Sequence, residues 1–432
     1  MSDAKAPDWQ SKFQLILSIL AAVGLLGAGG VLVLIGAGQL AGSEVDRAAA
    51  LPNFMLAVSL LAGGMLVLPS AWYAFRRLRP LDSEVMEVHR TIPPWILSML
   101  AIILIPTALV AGGWIVRNSS LAWLLLPGIS LVVTGMPILW LVGLGKRGLS
   151  GGSRQRQWGL LAGGMVFSPI LSILIEMMAL VGVVLVAIIV VAFNPELLQA
   201  LSDLATDLET GLVNPEDWQT MLMPYIQRPI FLTGVFAYAA VLIPLIEEAL
   251  KPLGLWLLAK RQITPAEGFV GGMICGAGFA LFENLIALST SGEQWTLLAG
   301  IRISTALLHM LTTGVMGWAL ANAWTNKRYY WVALSYAFAV SLHGIWNALG
   351  IASFTLPQYN LSAVEPGAIE ILLGLAVIAL GVLTVINFVI FIGINRRLRP
   401  KPACRASEGF RSAYNPYLLI WIEFYGTDLK IY

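Results

Sequence analysis

Glu247 and Glu248 stand side by side in an otherwise apolar stretch, just ahead of Lys251, and Glu283, His309 and His343 each follow in a later apolar segment. Carboxylates and imidazoles take protons from water and hand them to leaving groups, and both also serve as zinc ligands. A bilayer penalises such side chains, by about 3 kcal/mol for a charged group at a helix centre on insertion scales. Their recurrence, one or two per segment between Glu247 and Asn347, calls for a functional explanation. A catalytic cluster held inside the membrane supplies one.

The spacing within each segment says which groups can meet. Glu247 and Lys251 are four apart, so they share a helix face and can pair. Glu248 lies about 100° round the helix and is expected to look elsewhere. Pro252 has no N–H, so the carbonyl of Glu248 loses its helical partner and a kink is expected beside the carboxylates, a way to admit water. In the next segment the small residues Gly276, Ala277 and Gly278 allow close helix approach, one turn before Glu283 and Asn284. Arg302 and His309, seven apart, point inward together, unless Arg302 snorkels to the outer interface. Asn347 is four residues from His343, where its amide can orient the ring or bind an oxyanion. Counted from the nearest positive cluster at about 1.5 Å per residue, Glu247, His343, His309 and Glu283 lie roughly 20, 23, 27 and 33 Å deep, compatible with a common layer once helix extension and tilt are allowed. Glu176 is isolated in its own span, and His89, the third histidine, belongs to a basic connection.

The elements that must position these groups follow from composition. Of 432 residues, 58% are hydrophobic and only 12% charged, whereas a soluble domain carries about a quarter charged residues. The chain reads as all-α, a polytopic transmembrane helix bundle of about ten spans. Segments long enough to cross the hydrocarbon fall at 14–38, 53–75, 93–116, 121–144, 162–194, 228–258, 267–289, 296–323, 330–353 and 368–394. The fifth and sixth are long and contain Pro169 and Pro244, so kinking or tilting is expected. The first span follows a polar N-terminus with no small-residue cleavage site and reads as a retained span. Glycine pairs such as Gly24/Gly27 and Gly63/Gly64 are expected at close helix contacts.

Arginines and lysines alternate between rich and poor connections along all ten segments, which places both termini in the cytoplasm. The longest external connection, 195–227, contains an amphipathic run that reads as a solvated connector or an interfacial helix. The net charge of +2, with no basic block interleaved with aromatics, gives no sign of nucleic-acid binding. Cys275 and Cys404 cannot make a disulfide framework. No HExxH occurs, so spacing alone establishes no metal site.

The ordered set Glu247-Glu248-x-x-Lys251, Phe279-x-x-x-Glu283-Asn284, His309 and His343-x-x-x-Asn347 resembles the PrsW family of intramembrane proteases. That family is related to the CAAX prenyl endopeptidases and bacteriocin-processing membrane proteases. The resemblance covers about 228–353 and implies a core over 161–400, an added four-helix membrane region over 1–160 and a cytoplasmic tail over 401–432. It implies that Glu247 or Glu248 is the essential acid, with Glu283, His309 and His343 completing the centre. The wider superfamily often has EExxxR and FxxxH; the earlier lysine and Glu283 here favour PrsW. The implied substrate is a membrane-anchored protein, such as an anti-sigma factor, in a bacterial plasma membrane.

Two chemistries are open to these residues. A glutamate, Glu247 first, takes a proton from water while His309, His343 and Asn347 stabilise the oxyanion and protonate the leaving amine. Alternatively, carboxylates and imidazoles hold zinc, which acidifies the attacking water. Two rival functions use the same residues: a proton- or ion-coupled transporter with a carboxylate–histidine relay, and a non-catalytic scaffold for hydrophobic segments. Against transport, the spans show no convincing inverted repeat.

Overall fold

A computed structural model describes residues 9–79, 93–118, 120–209, 229–259, 263–355 and 368–400. His89, the basic cluster at Lys260 and Arg261, Cys404 and the tail lie outside the described residues. Helices dominate the described residues and no strand occurs among them. This is the expected solution in hydrocarbon, where a helix satisfies its backbone hydrogen bonds internally. Among the described residues ten helices are long and apolar enough to cross a membrane, matching the ten segments read from hydropathy.

The helices are α1 (Trp9–Leu40), α2 (Glu44–Leu78), α3 (Pro94–Asn118), α4 (Ala122–Gly145), α5 (Arg154–Ala162), α6 (Ser168–Ala192), α7 (Pro195–Glu209), α8 (Pro229–Phe236), α9 (Ile243–Leu250), α10 (Leu253–Trp256), α11 (Pro265–Ser289), α12 (Trp295–Asn326), α13 (Tyr330–Thr355) and α14 (Ala368–Leu398). Of the connection over 195–227, the described part is the helix α7.

The two long spans are each interrupted rather than simply bent. A π turn, Gly163–Phe167, joins α5 to α6, and a second, Ala237–Leu242, joins α8 to α9. Each sits directly ahead of a proline, Pro169 and Pro244. Proline lacks an N–H and its ring crowds the carbonyl four residues back, and a widened turn relieves both. Pro252 acts more strongly. It ends α9 outright, and the chain resumes as the short α10.

The centre of the bundle is α11. Its start is fixed by a capping box, in which Thr264 accepts from the Glu267 N–H and the Glu267 carboxylate accepts from the Thr264 N–H, with Pro265 in the first turn. Every residue from Gly268 to Leu281 is buried. Gly268, Gly272 and Gly276 recur every four residues along the face towards α12, where an added Cβ would strike the carbonyls of Gly317, Thr313 and His309. Small residues at this spacing let two membrane helices touch through their backbones. The opposite side of α11 meets the Gly163–Phe167 turn, where Gly164 faces the Cys275 carbonyl. Helices α2 and α4 also pack on α11, and Val67 and Ile138 share its core. Of the glycines expected at contacts, Gly64 packs on Leu26 whereas Gly24 and Gly27 of α1 face no neighbour among the described residues; on α1 it is Gly29 that packs, on Leu61. Those positions look alike in sequence, and only helix rotation separates them.

Candidate active site

Glu247 and Glu248 occupy the last turn of α9, and Lys251 follows at the break. Lys251 Nζ lies 3.0 Å from Glu247 Oε2 and 2.6 Å from Glu248 Oε1. Glu248 therefore does not look elsewhere as expected: positions three and four back both neighbour a helical lysine, and its long stem reaches either. Lys251, Glu248 and His309 are fully enclosed, and His343 is nearly so. The same Nζ lies 2.8 Å from His309 Nδ1 and 3.3 Å from His343 Nδ1. It also sits 4.7 Å above the centroid of the Phe279 ring, within the range of a cation–π contact. One ammonium is thus the focus of two carboxylates and two imidazoles from three helices.

Local features place each group. Gly276 sets the distance between α11 and α12 at the turn that carries His309. Phe279, one turn on, meets the His309 ring edge-on at 5.4 Å. On α13, Gly344 is close enough to the π turn that a Cβ would meet the Ala240 carbonyl. Asn347 Nδ2 donates to the Ala239 carbonyl at 2.8 Å, and Tyr336 Oη donates to the Leu245 carbonyl at 2.7 Å. These three contacts lock α13 onto the segment carrying the glutamates and bring His343 Nδ1 to 2.9 Å from Glu248 Oε1. Asn347 is thereby engaged with the widened turn rather than with the His343 ring. Ser168 Oγ donates to the Lys251 carbonyl at 3.4 Å, steadying the break from α6.

The second half of the site lies on the far side of His309. His309 Nε2 is 2.6 Å from Glu283 Oε2, and Arg302 Nη1 pairs with the other oxygen of that carboxylate. The imidazole donates its Nε2 proton to Glu283, which leaves the Nδ1 lone pair facing Lys251. Arg302 and His309 do point inward together, and Arg302 does not snorkel. Asn284 Nδ2 donates to the Arg302 carbonyl, tying α11 to α12 at this level. Glu176 lies within electrostatic reach of Glu247, Glu283 and Lys251, with Oε1 buried and without a hydrogen bond. Nothing in sequence marked Ser168 or Gly344, whose roles depend on the neighbours they touch.

The donor set suits a metal. Glu247, His309 and His343 each present one ligand atom, and these lie within 4.8 Å of one another. Imidazole nitrogens with a carboxylate oxygen are a common zinc donor set. The carboxylate on the outward nitrogen of His309 is the contact that fixes tautomer and ring angle in a metal-binding histidine. A cation, the Lys251 ammonium, already stands where these atoms converge. A cavity of about 370 Å³ lies elsewhere, beside α10, lined by Phe13, Gln14, Gln155, Phe167 and Gly254.

An all-helical membrane bundle with acids and imidazoles gathered round one buried point is the framework of a membrane-embedded hydrolase. Residues 172–381 match the model of the PrsW family of intramembrane metalloproteases. Over that stretch, which holds every acid and imidazole of the cluster, the chain is similar to the intramembrane metalloproteases of that family, integral membrane enzymes acting on membrane-embedded protein. The match gives no support to transport. No curated protein and no solved structure matches the chain.

Proposed function

We propose that Glu247, Glu248, Glu283, His309 and His343 form the centre that hydrolyses a peptide bond of a membrane-anchored regulatory protein, of the anti-sigma-factor kind, in a bacterial plasma membrane with both enzyme termini in the cytoplasm. The observation that carries this reading is the meeting of Glu247, Glu248, His309 and His343 at one buried point. Glu247, His309 and His343 would hold the metal, zinc by donor type. When bound, zinc supplies Lewis acidity that lowers the pKa of water and polarises the scissile carbonyl.

Glu248 is the proton carrier in this reading. Its Oε1 is held by Lys251 and His343, while Oε2 is buried without a hydrogen-bond partner. Oε2 takes a proton from the attacking water and returns it to the leaving nitrogen. The Lys251 ammonium, paired with Glu248, supplies positive charge near the developing oxyanion, where a water-poor site makes such charge effective. Glu283 holds the His309 proton at Nε2 and so keeps Nδ1 turned to the centre. Asn347 acts indirectly, by holding the widened turn ahead of Glu247.

The test uses purified protein in detergent with a single-span anti-sigma-type substrate. Wild type is compared with Glu247→Gln, Glu248→Gln, Glu283→Gln, His309→Ala and His343→Ala, with cleavage and bound metal measured on the same samples. Glu247→Gln, His309→Ala and His343→Ala are expected to lose both metal and cleavage, and Glu248→Gln to lose cleavage alone. Cleavage at wild-type level by all five variants would falsify the assignment.

A further inference from the structure

We propose that Lys251 is the resident counter-cation of the metal site, so that its ammonium and the metal compete for one position and Lys251 sets how tightly the metal is held. The inference rests on the metal reading above and concerns a residue outside the ligand set. Lys251 Nζ lies 3.0 Å from Glu247 Oε2, 2.8 Å from His309 Nδ1 and 3.3 Å from His343 Nδ1, on the three residues able to share a metal. A dication and an ammonium at that separation repel, and the enclosed surroundings screen them little. Both cannot hold the focus together.

The structure also shows where the ammonium can go. Glu248, outside the metal-binding group, holds it at 2.6 Å, and the Phe279 face lies 4.7 Å away. A short swing towards the Phe279 face, with Glu248 Oε1 kept as its partner, leaves Glu247, His309 and His343 free for metal. Lys251 begins the break before Pro252, so no helix has to move with it. The arrangement has a clear benefit without metal. Two enclosed carboxylates lacking a cation are strongly destabilising, and the ammonium neutralises part of that charge.

The experiment uses the full-length, metal-stripped protein in detergent, with zinc alone as the probe. Bound metal is measured by equilibrium dialysis and stability by thermal unfolding. Lys251→Met keeps the length of the stem without its charge. It is expected to unfold earlier than wild type when metal-free, to bind zinc at least tenfold more tightly, and to gain more in unfolding temperature on adding zinc. Lys251→Arg, whose charge is permanent and whose head is bulkier, is expected to bind zinc at least threefold more weakly than wild type. Zinc affinity in Lys251→Met equal to or below wild type overturns the proposal. Should Lys251→Met fail to fold, affinity in Lys251→Arg at or above wild type overturns it instead. Cleavage by wild type, assayed before and after stripping, is read separately. Chelator-sensitive cleavage alongside a failed zinc comparison removes the role of Lys251 and leaves the peptidase reading intact.

Discussion

His309 divides the site into two unlike halves. On its Nδ1 side, Glu248 and Lys251 have no exposed side-chain surface and Glu247 has 12%, and the carboxylates share one lysine. On its Nε2 side, Glu283 is 32% exposed and Arg302 22%, and a carboxylate is matched by an arginine of its own. The first half converges on a point and leaves Glu248 Oε2 without a partner; the second occupies both oxygens of Glu283. An incompletely satisfied acid in an enclosed place is suited to reaction, whereas a satisfied one is suited to holding a neighbour still. Similar residue types therefore do different work according to what remains unpaired around them.

The sharpest way to break this comparison is to remove the acid of the inner half. Glu248→Gln should lower the cleavage rate by about a hundredfold to ten-thousandfold, the usual contribution of a positioned proton carrier, with bound metal unchanged. Retained cleavage there would move the proton-carrying role to another residue. Gly276→Val should come next, because this glycine sets the spacing on which both halves depend. An added side chain between two touching backbones should cost about 1–3 kcal/mol, read as earlier thermal unfolding in detergent. An unchanged unfolding curve would show that the helices separate freely at His309.

Glu283→Gln probes the outer half. A neutral amide still fits but holds the His309 proton less firmly, so metal affinity or activity should fall by about ten- to a hundredfold. A loss as deep as that of Glu248→Gln would put Glu283 among the reacting groups and erase the distinction between the halves. The smallest effect is expected from Arg302→Met, which removes a partly exposed partner worth about 1 kcal/mol or less. Turnover should fall by a few-fold, and metal content measured on the same sample should hold steady.

Much of the architecture was legible because it is written in local terms. The ten spans follow from runs of apolar residues, and the break after Leu250 follows from the missing N–H of Pro252. The Glu247–Lys251 pair follows from a four-residue spacing on one helix. Glu248 was harder, because the same lysine can serve a residue three positions away and sequence does not say which it prefers. The role of Asn347 was legible only as an amide near a histidine; its bond to the Ala239 carbonyl depends on a widened turn in another helix.

By itself, then, the sequence determined that the chain crosses a membrane about ten times and carries its acids and imidazoles within the spans, since hydropathy and helical spacing act over a few residues. Which atoms of different helices meet was decided by tertiary structure alone. Helix rotation, the glycine contact at Gly276 and the π turn ahead of Pro244 jointly turn His309 Nδ1 and His343 Nδ1 onto Lys251 and Glu283 onto His309 Nε2. Hydrogen bonds depend on tenths of an ångström between helices far apart in the chain, and no spacing along one segment encodes that distance.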